Sequence, residues 1–366
     1  MRRYGIDWLR IFVVFLLFPF HTARVFDGWE INYIKDATNA FSSWLVAGIG
    51  FWFMALLFVI AGFSTFHALQ KRPAQEYIKE RVLRLFVPLI FGLVLIVPVQ
   101  GYVASLQHEG LTGSYLQFLT GYFVDFHDIS GYTGGFTPAH LWFILYLFVI
   151  SLCLLPLLLK LRTPQAGHAT RPWLLLLAFV PMTAAEALPD LGGKNPFFYA
   201  LLFLFGFLFA RSDSMMWFVR RIRFVTLTAA IVLLPAYLLV VSTLGWPDGI
   251  NLLAAGVALL RNLCAWMIIL ALMGLADTYL DRPAPALAYL NRASFPVYVL
   301  HQSVMMVIAF YVTASGLSPA LKFLAIMAGT LFASLALYEG LRHLAPTRFI
   351  LGIKTETRAP RHWARE

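Results

Sequence analysis

Apolar residues gather in long runs joined by short polar segments. Ten runs can be marked: 6–27, 42–68, 82–104, 139–160, 172–188, 196–211, 223–245, 250–276, 286–314 and 319–343. Most match the roughly 20 residues a helix needs to cross bilayer hydrocarbon. The fifth and sixth are shorter and flank a break at Pro189 to Pro196. Lipid offers backbone amides no partner, so a spanning segment is a helix or part of a closed barrel. The alternating ten-residue pattern of barrel strands is absent. The pattern predicts an all-α, polytopic integral membrane protein with about ten transmembrane helices.

Basic residues give these helices a direction. With the N terminus in the cytoplasm, the inside segments hold Arg2, Arg3, Lys71, Arg72, Lys79, Arg81, Arg84, Lys160, Arg162, Arg171, Arg211, Arg220, Arg221, Arg223 and Arg282, then Arg342, Arg348, Lys354, Arg358, Arg361 and Arg365. The outside segments hold little beyond Lys35, Lys194 and Lys322. This is the positive-inside bias, and it predicts that both termini are cytoplasmic. A transmembrane domain then occupies 1–345, and a short basic tail, 346–366, lies against anionic lipid. The chain is placed as a multi-pass protein of a bacterial-type inner membrane. The first run carries no small-residue cleavage site and reads as a retained helix. The longest outside segment, about 105–138, is placed to cap the outer face; a segment of that length is often functional.

Composition changes this picture little. Of 366 residues, 60% are apolar and 13% charged, against about 25% charged in soluble domains. The net charge of +10 does not point to nucleic acid, because the basic residues sit in loops between apolar runs. Cys153 and Cys264 lie inside apolar runs and form no metal or disulfide framework. No Walker loop, dinucleotide fingerprint or GxSxG occurs, and no His/Cys zinc cluster. Chemistry is left to histidine, arginine and carboxylate.

The strongest candidates share the first run. Asp7 and Arg10 lie near its start and His21 in its far half. Arg10 and His21 are eleven residues apart, about three turns and roughly 16 Å along one helix face. Ionisable groups at membrane depth are expensive and mark function more often than filling. An imidazole suits proton removal from a hydroxyl. Arg81 and Arg84, in KERVLRLFVP, sit three apart where the third helix leaves the cytoplasm. Such a pair can grip phosphates, or it can anchor the helix to headgroups. Pro88 should kink this helix. In AHLWFILYL, Trp142 fits an interfacial aromatic belt, and His140 reads as a surface histidine or a functional one. In SFPVYVLHQSV, Tyr298 and His301 share a face in mid-span. Glu339 lies three residues before Arg342 and suits a local helix ion pair.

Taken together, these pieces resemble the acyltransferase-3 family of integral membrane proteins over nearly the whole chain. They are Arg10 and His21 in the first helix, the RxxR of Arg81 and Arg84, HLWF at 140–143, and Tyr298 with His301 in a late span. Within the family, FPFH, RVLRLFVP, HLWFILYL and LYE are similar to the glucan biosynthesis protein C group. The resemblance implies transfer of an acyl group, acetyl or succinyl in type, from cytoplasmic acyl-coenzyme A to a hydroxyl of an extracytoplasmic glycan or lipid-linked sugar. It assigns His21 the role of catalytic base and Arg10, Arg81 and Arg84 that of donor binding. Asp7, His140, Trp142, Tyr298, His301 and Glu339 are placed in support. The donor is a substrate, with no permanently bound cofactor. Many family members carry a soluble hydrolase-like domain, so this chain is expected to act alone or with a partner protein. The competing reading is a transporter or flippase of an acyl donor or acylated lipid, for which paired broken helices and inverted repeats would be the sign; no repeat is visible.

Overall fold

The apolar runs fold into helices, and prolines and short polar side chains set where many of them begin. A computed structural model describes residues 3–128, 130–165, 171–247, 249 and 251–353. Its α-helices are α1 (Tyr4–Phe26), α2 (Ala40–Ile49), α3 (Phe53–Lys71), α4 (Ala74–Arg81), α5 (Val87–Leu95), α6 (Val97–His108), α7 (Tyr115–Tyr122) and α8 (Trp142–Cys153). They continue as α9 (Leu155–Leu161), α10 (Phe179–Glu186), α11 (Pro196–Arg211), α12 (Asp213–Leu244), α13 (Leu252–Leu275), α14 (Pro285–Thr313), α15 (Pro319–Leu341) and α16 (Ala345–Ile350). Proline stands in the first turn of α11, α14 and α15, where its missing N–H costs nothing. Asn39, Asn195 and Asn251 accept from backbone N–H groups at the starts of α2, α11 and α13, as N-cap residues do. No strand occurs among the described residues beyond an isolated bridge between Leu191 and Lys194.

The protein is all-α with several membrane-length helices, as expected. By length and composition, seven helical stretches among the described residues can cross a membrane, and α8 with α9 makes an eighth if that pair, bent by 58°, is one span. The two helices of the fifth and sixth runs, Pro172–Glu186 and Pro196–Arg211, fall short. Prolines 172, 181, 189 and 196 divide this region into pieces. Among the described residues, seven to eight stretches are thus long and apolar enough to cross, where the sequence predicts about ten crossings. Arg2 and the basic tail from 354 onward lie outside the described residues.

Two boundaries differ from expectation. α12 starts at Asp213 rather than 223, so Arg220, Arg221 and Arg223 belong to the helix. Charge does not stop a helix, and between Ser212 and Phe224 there is no glycine or proline to do so. The third run starts at Ala74 and passes through a π-turn at Val82–Phe86. Pro88 has no N–H to give the carbonyl of Arg84, and its ring presses on that carbonyl. The ladder widens instead, and Val87 N–H reaches Val82 O. Arg84 sits inside this π-turn.

α1 packs on α2, α3, α13, α14 and α15, so its polar face looks into protein. α3 and α11 cross closely: a Cβ on Gly62 would fall 1.8 Å from Phe203 O, and one on Gly206 would fall 1.9 Å from Val59 O. At the end holding the N terminus, buried Asp277 receives Arg3 at 2.8 Å and Arg220 at 3.0 Å. Trp29, Glu30, Tyr132, Lys194 and Trp246, from the segments between helices, gather at the opposite end.

Candidate active site

At that opposite end a cavity of about 400 Å³ reaches inward from the loops to His21, His140 and Tyr298. α1 brings His21, the joint between α2 and α3 brings Gly50 and Phe51, and α14 brings Tyr298 and Gln302. Trp29, Glu30, Tyr132 and Trp246 stand at the mouth. Tyr132 belongs to a loop held by Asp128, which accepts from the backbone and hydroxyls of Ser130 and Thr133. Burial opposes the Asp128 carboxylate, but those hydrogen bonds outweigh it and hold its pKa down at about 2. The 105–138 segment thus reaches the cavity mouth.

His21 makes no hydrogen bond with the described residues. Its ring lies edge-on to Phe20 at 5.2 Å and tilted against His301 at 5.3 Å between centroids. Two imidazoles sharing a nitrogen-to-nitrogen hydrogen bond stand roughly 5 Å apart by centroid, and these two rings lie at that separation. His301 is fully buried. Its Nδ1 lies 2.6 Å from Tyr298 O; a carbonyl only accepts, so Nδ1 carries the hydrogen and Nε2 is the basic nitrogen. That Nε2 has no partner among the described residues.

His140 differs. Sequence leaves room for a surface histidine; the structure corrects this, since His140 is buried and bonded at both nitrogens. Nε2 donates to Val299 O at 2.9 Å, and Nδ1 accepts from Gln100 Nε2 at 3.1 Å. Gln100 also donates to Ser303 Oγ, which donates to Ile96 O. Tyr298 closes the network by donating its hydroxyl to His140 O. Ala139, just before, takes φ +46°, a strained left-handed conformation for a residue with a side chain. Trp142 likewise is no lipid-facing belt residue: it lines the cavity and packs on Tyr199 at 5.1 Å.

The remaining candidates lie elsewhere. Arg10 donates to Asp7 Oδ1 at 3.1 Å, Asn291 Oδ1 at 3.2 Å and Ser64 Oγ at 3.1 Å, tying α1 to α14 and α3. Between Arg10 and His21, α1 is packed through Val14, Leu17 and Phe18, each no more than 6% exposed. Arg81 turns to Thr65 Oγ1 at 3.2 Å and covers the Tyr77 ring at 4.6 Å. Arg84 pairs instead with Glu80 at 2.6 Å. Glu339 accepts from Tyr289 and pairs with Arg342, each at 2.7 Å; this is the local ion pair read from spacing, away from the cavity. Of the sequence candidates, the structure joins His21, His140, Trp142, Tyr298 and His301. It sets Asp7 with Arg10 at a second place, Arg81 and Arg84 at a third, and Glu339 at a fourth.

Sequence reasoning missed several wall residues. Arg24, near the end of α1, is buried with Asp27 at 3.1 Å, and Lys35 meets the same carboxylate at 3.1 Å. Arg261 lines the cavity from inside α13, paired with Glu186 at 2.5 Å. An arginine inside an apolar run is the signal that singles out Arg10, and it was available for Arg261. Among the described residues no group of three His, Cys, Asp or Glu is arranged to hold a metal ion; His140 has no nitrogen to spare.

Comparison with known proteins agrees with this architecture. The sequence model of a family described as an acyltransferase domain matches residues 3–339. Similar proteins include the glucans biosynthesis protein C of Salmonella schwarzengrund, 22% identical over 98% of this chain and 97% of the relative. Those of Salmonella paratyphi B and Salmonella agona match equally, at 22% over the same shares. No solved structure matches.

Proposed function

The chain belongs to the acyltransferase-3 family and is a multi-pass membrane acyltransferase; from that premise we propose that it moves an acyl group from cytoplasmic acyl-coenzyme A to a hydroxyl of an extracytoplasmic glycan or lipid-linked sugar. The observation that carries this reading is His21: an imidazole with no hydrogen bond to the described residues, at the inner end of a cavity opening away from the end that holds Arg81 and Arg84. The name of its relatives speaks of glucans, which supports a sugar acceptor.

In this reading the acceptor hydroxyl enters from the loops and gives its proton to His21 as its oxygen attacks the thioester carbonyl. The carbon–sulfur bond breaks, and the leaving thiolate takes the proton from His21, so coenzyme A departs as the thiol. While His21 holds the proton, His301 Nε2 accepts from it and steadies the imidazolium, with Tyr298 O fixing the His301 tautomer. His140 keeps the site in shape through α6 and α14. A second route uses the same geometry: His21 takes the acyl group and passes it on. Arg81 and Arg84 meet the anionic end of the donor, with Arg10, held by Asp7, further in. The pantetheine arm spans the roughly 16 Å from Arg10 to His21. That interval is packed, so α1 must part from α3 or α14 to admit it.

The test is purified protein in nanodiscs with labelled acyl-coenzyme A and a glucan acceptor. Release of free coenzyme A that depends on the acceptor is expected. Movement of an acylated species without release would make the protein a transporter. At the donor end, Arg84→Ala should raise KM for acyl-coenzyme A at least about tenfold while the protein still folds, since a charge-assisted phosphate contact is lost. An unchanged donor KM would reduce Arg84 to a lipid anchor.

A further inference from the structure

We infer that the cavity around His21 recognises an anionic oxygen group, a carboxylate or phosphate carried by one of the substrates, and that Arg261 and Lys194 hold it. Only the question of which substrate carries the anion rests on the acyl-transfer reading above.

Arg261 lies nine residues into α13, about 14 Å along the helix. A guanidinium at such depth is expensive and asks for a reason. Bracing α10 against α13 is one, but Asn262 already does this by donating to Glu186 Oε2 at 2.8 Å and Thr183 Oγ1 at 3.2 Å. Arg261 adds an ion pair to the same Glu186 oxygen, lies 5.6 Å from the centroid of the Trp246 ring, and faces the cavity. Its planar fork of five N–H donors suits bidentate capture of a carboxylate or phosphate.

Lys194 comes to the same cavity from the loop before α11. Its ammonium lies 5.7 Å from the Trp142 ring centroid and 3.4 Å from Gly193 O. Among the described residues no carboxylate stands within 4.0 Å of it. Glu30 and Asp190 act on it from longer range, and burial pushes its pKa below the usual lysine value. Glu30, the carboxylate on the cavity wall, is engaged by Arg24 at 3.6 Å. Two more lining groups are unpartnered among the described residues: the buried Tyr237 hydroxyl and Gln302 Oε1. A buried hydroxyl without a partner is costly, and the Tyr237 O–H can donate to an incoming anionic oxygen.

Binding to the full-length protein in detergent tests this without turnover. The probes are succinate, as an acyl-borne carboxylate, and glucose 6-phosphate, as an acceptor-borne phosphate. Succinamide and glucose are the uncharged controls. Binding is read by calorimetry and by tryptophan fluorescence, with Trp246→Phe as the reference. One anion should bind at least about tenfold more tightly than its control. The double variant Glu186→Gln/Arg261→Gln, which removes both charges and leaves no lone buried carboxylate, should erase that preference while thermal stability is kept. Lys194→Gln should weaken it independently. Preference for succinate assigns the anion to the acyl group, and preference for glucose 6-phosphate assigns it to the acceptor. Equal binding of charged and uncharged probes, or a preference that survives both variants, overturns the inference. A wild type that binds the anion yet transfers no acyl group would sink the proposed function and leave the anion site standing.

Discussion

Replacing His21 by alanine should cut acyl transfer by about a thousandfold, within the span usual for a general base, while the protein folds and inserts normally. The two halves of this expectation come from one observation. His21 makes no hydrogen bond with the described residues, so its removal orphans no buried partner there. What goes is packing against Phe20 and His301, and with it the proposed general base. Membrane yield and melting temperature should stay near wild type as kcat collapses. Added imidazole, small enough for the vacated space, should restore part of the rate if His21 acts as a base. His301→Ala should cost less, about tenfold in kcat, with the acceptor KM unchanged. Wild-type rates in His21→Ala would remove the catalytic assignment altogether.

An equally large effect, on folding, should follow from Gly206→Ala. One methyl group there falls 1.9 Å from Val59 O, and at Gly62 the matching distance is 1.8 Å from Phe203 O. Both obstacles are backbone, which cannot swing aside as a side chain can. The helices must part, and small residues at such a crossing are what lets backbones approach in a membrane. Overpacking by a single group typically costs 1–3 kcal/mol. A clash with backbone on both sides belongs at or beyond the top of that range. Gly206→Ala should therefore lose most of its monodisperse peak in fluorescence-detected size exclusion. Gly256→Ala, whose Cβ meets nothing within 4 Å, is the control. Equal stability of the two variants would show that the crossing is looser than described.

What could be read from the chain divides along physical lines. Lipid penalises polarity, so the helical runs and the stripe of Asp7, Arg10 and His21 stand out against an apolar background. Interactions within one turn are also visible, as Asp7 with Arg10 and Glu339 with Arg342 both form. The role of His140 was not legible, because Gln100, Ser303 and Val299 lie far from it in sequence. Arg261 and Lys194 share a wall only after α11, α12 and α13 have packed. The start of α12 at Asp213 is hidden behind Arg220, Arg221 and Arg223, because an apolar run ends at charge whereas a helix ends at backbone chemistry.

The packed stretch of Val14, Leu17 and Phe18 has a consequence of its own. It acts as electrical insulation. Val14 and Phe18 are buried and Leu17 lines the inner wall of the cavity, so a proton taken at His21 is expected to exchange with the compartment onto which the cavity opens. In proteoliposomes the reaction should follow the pH on the loop-bearing face and ignore the pH on the other. An equal response to both sides would show the seal to be broken at rest. A donor arm entering from below would have to replace the insulation as it displaces it, so that the membrane stays closed to protons during transfer.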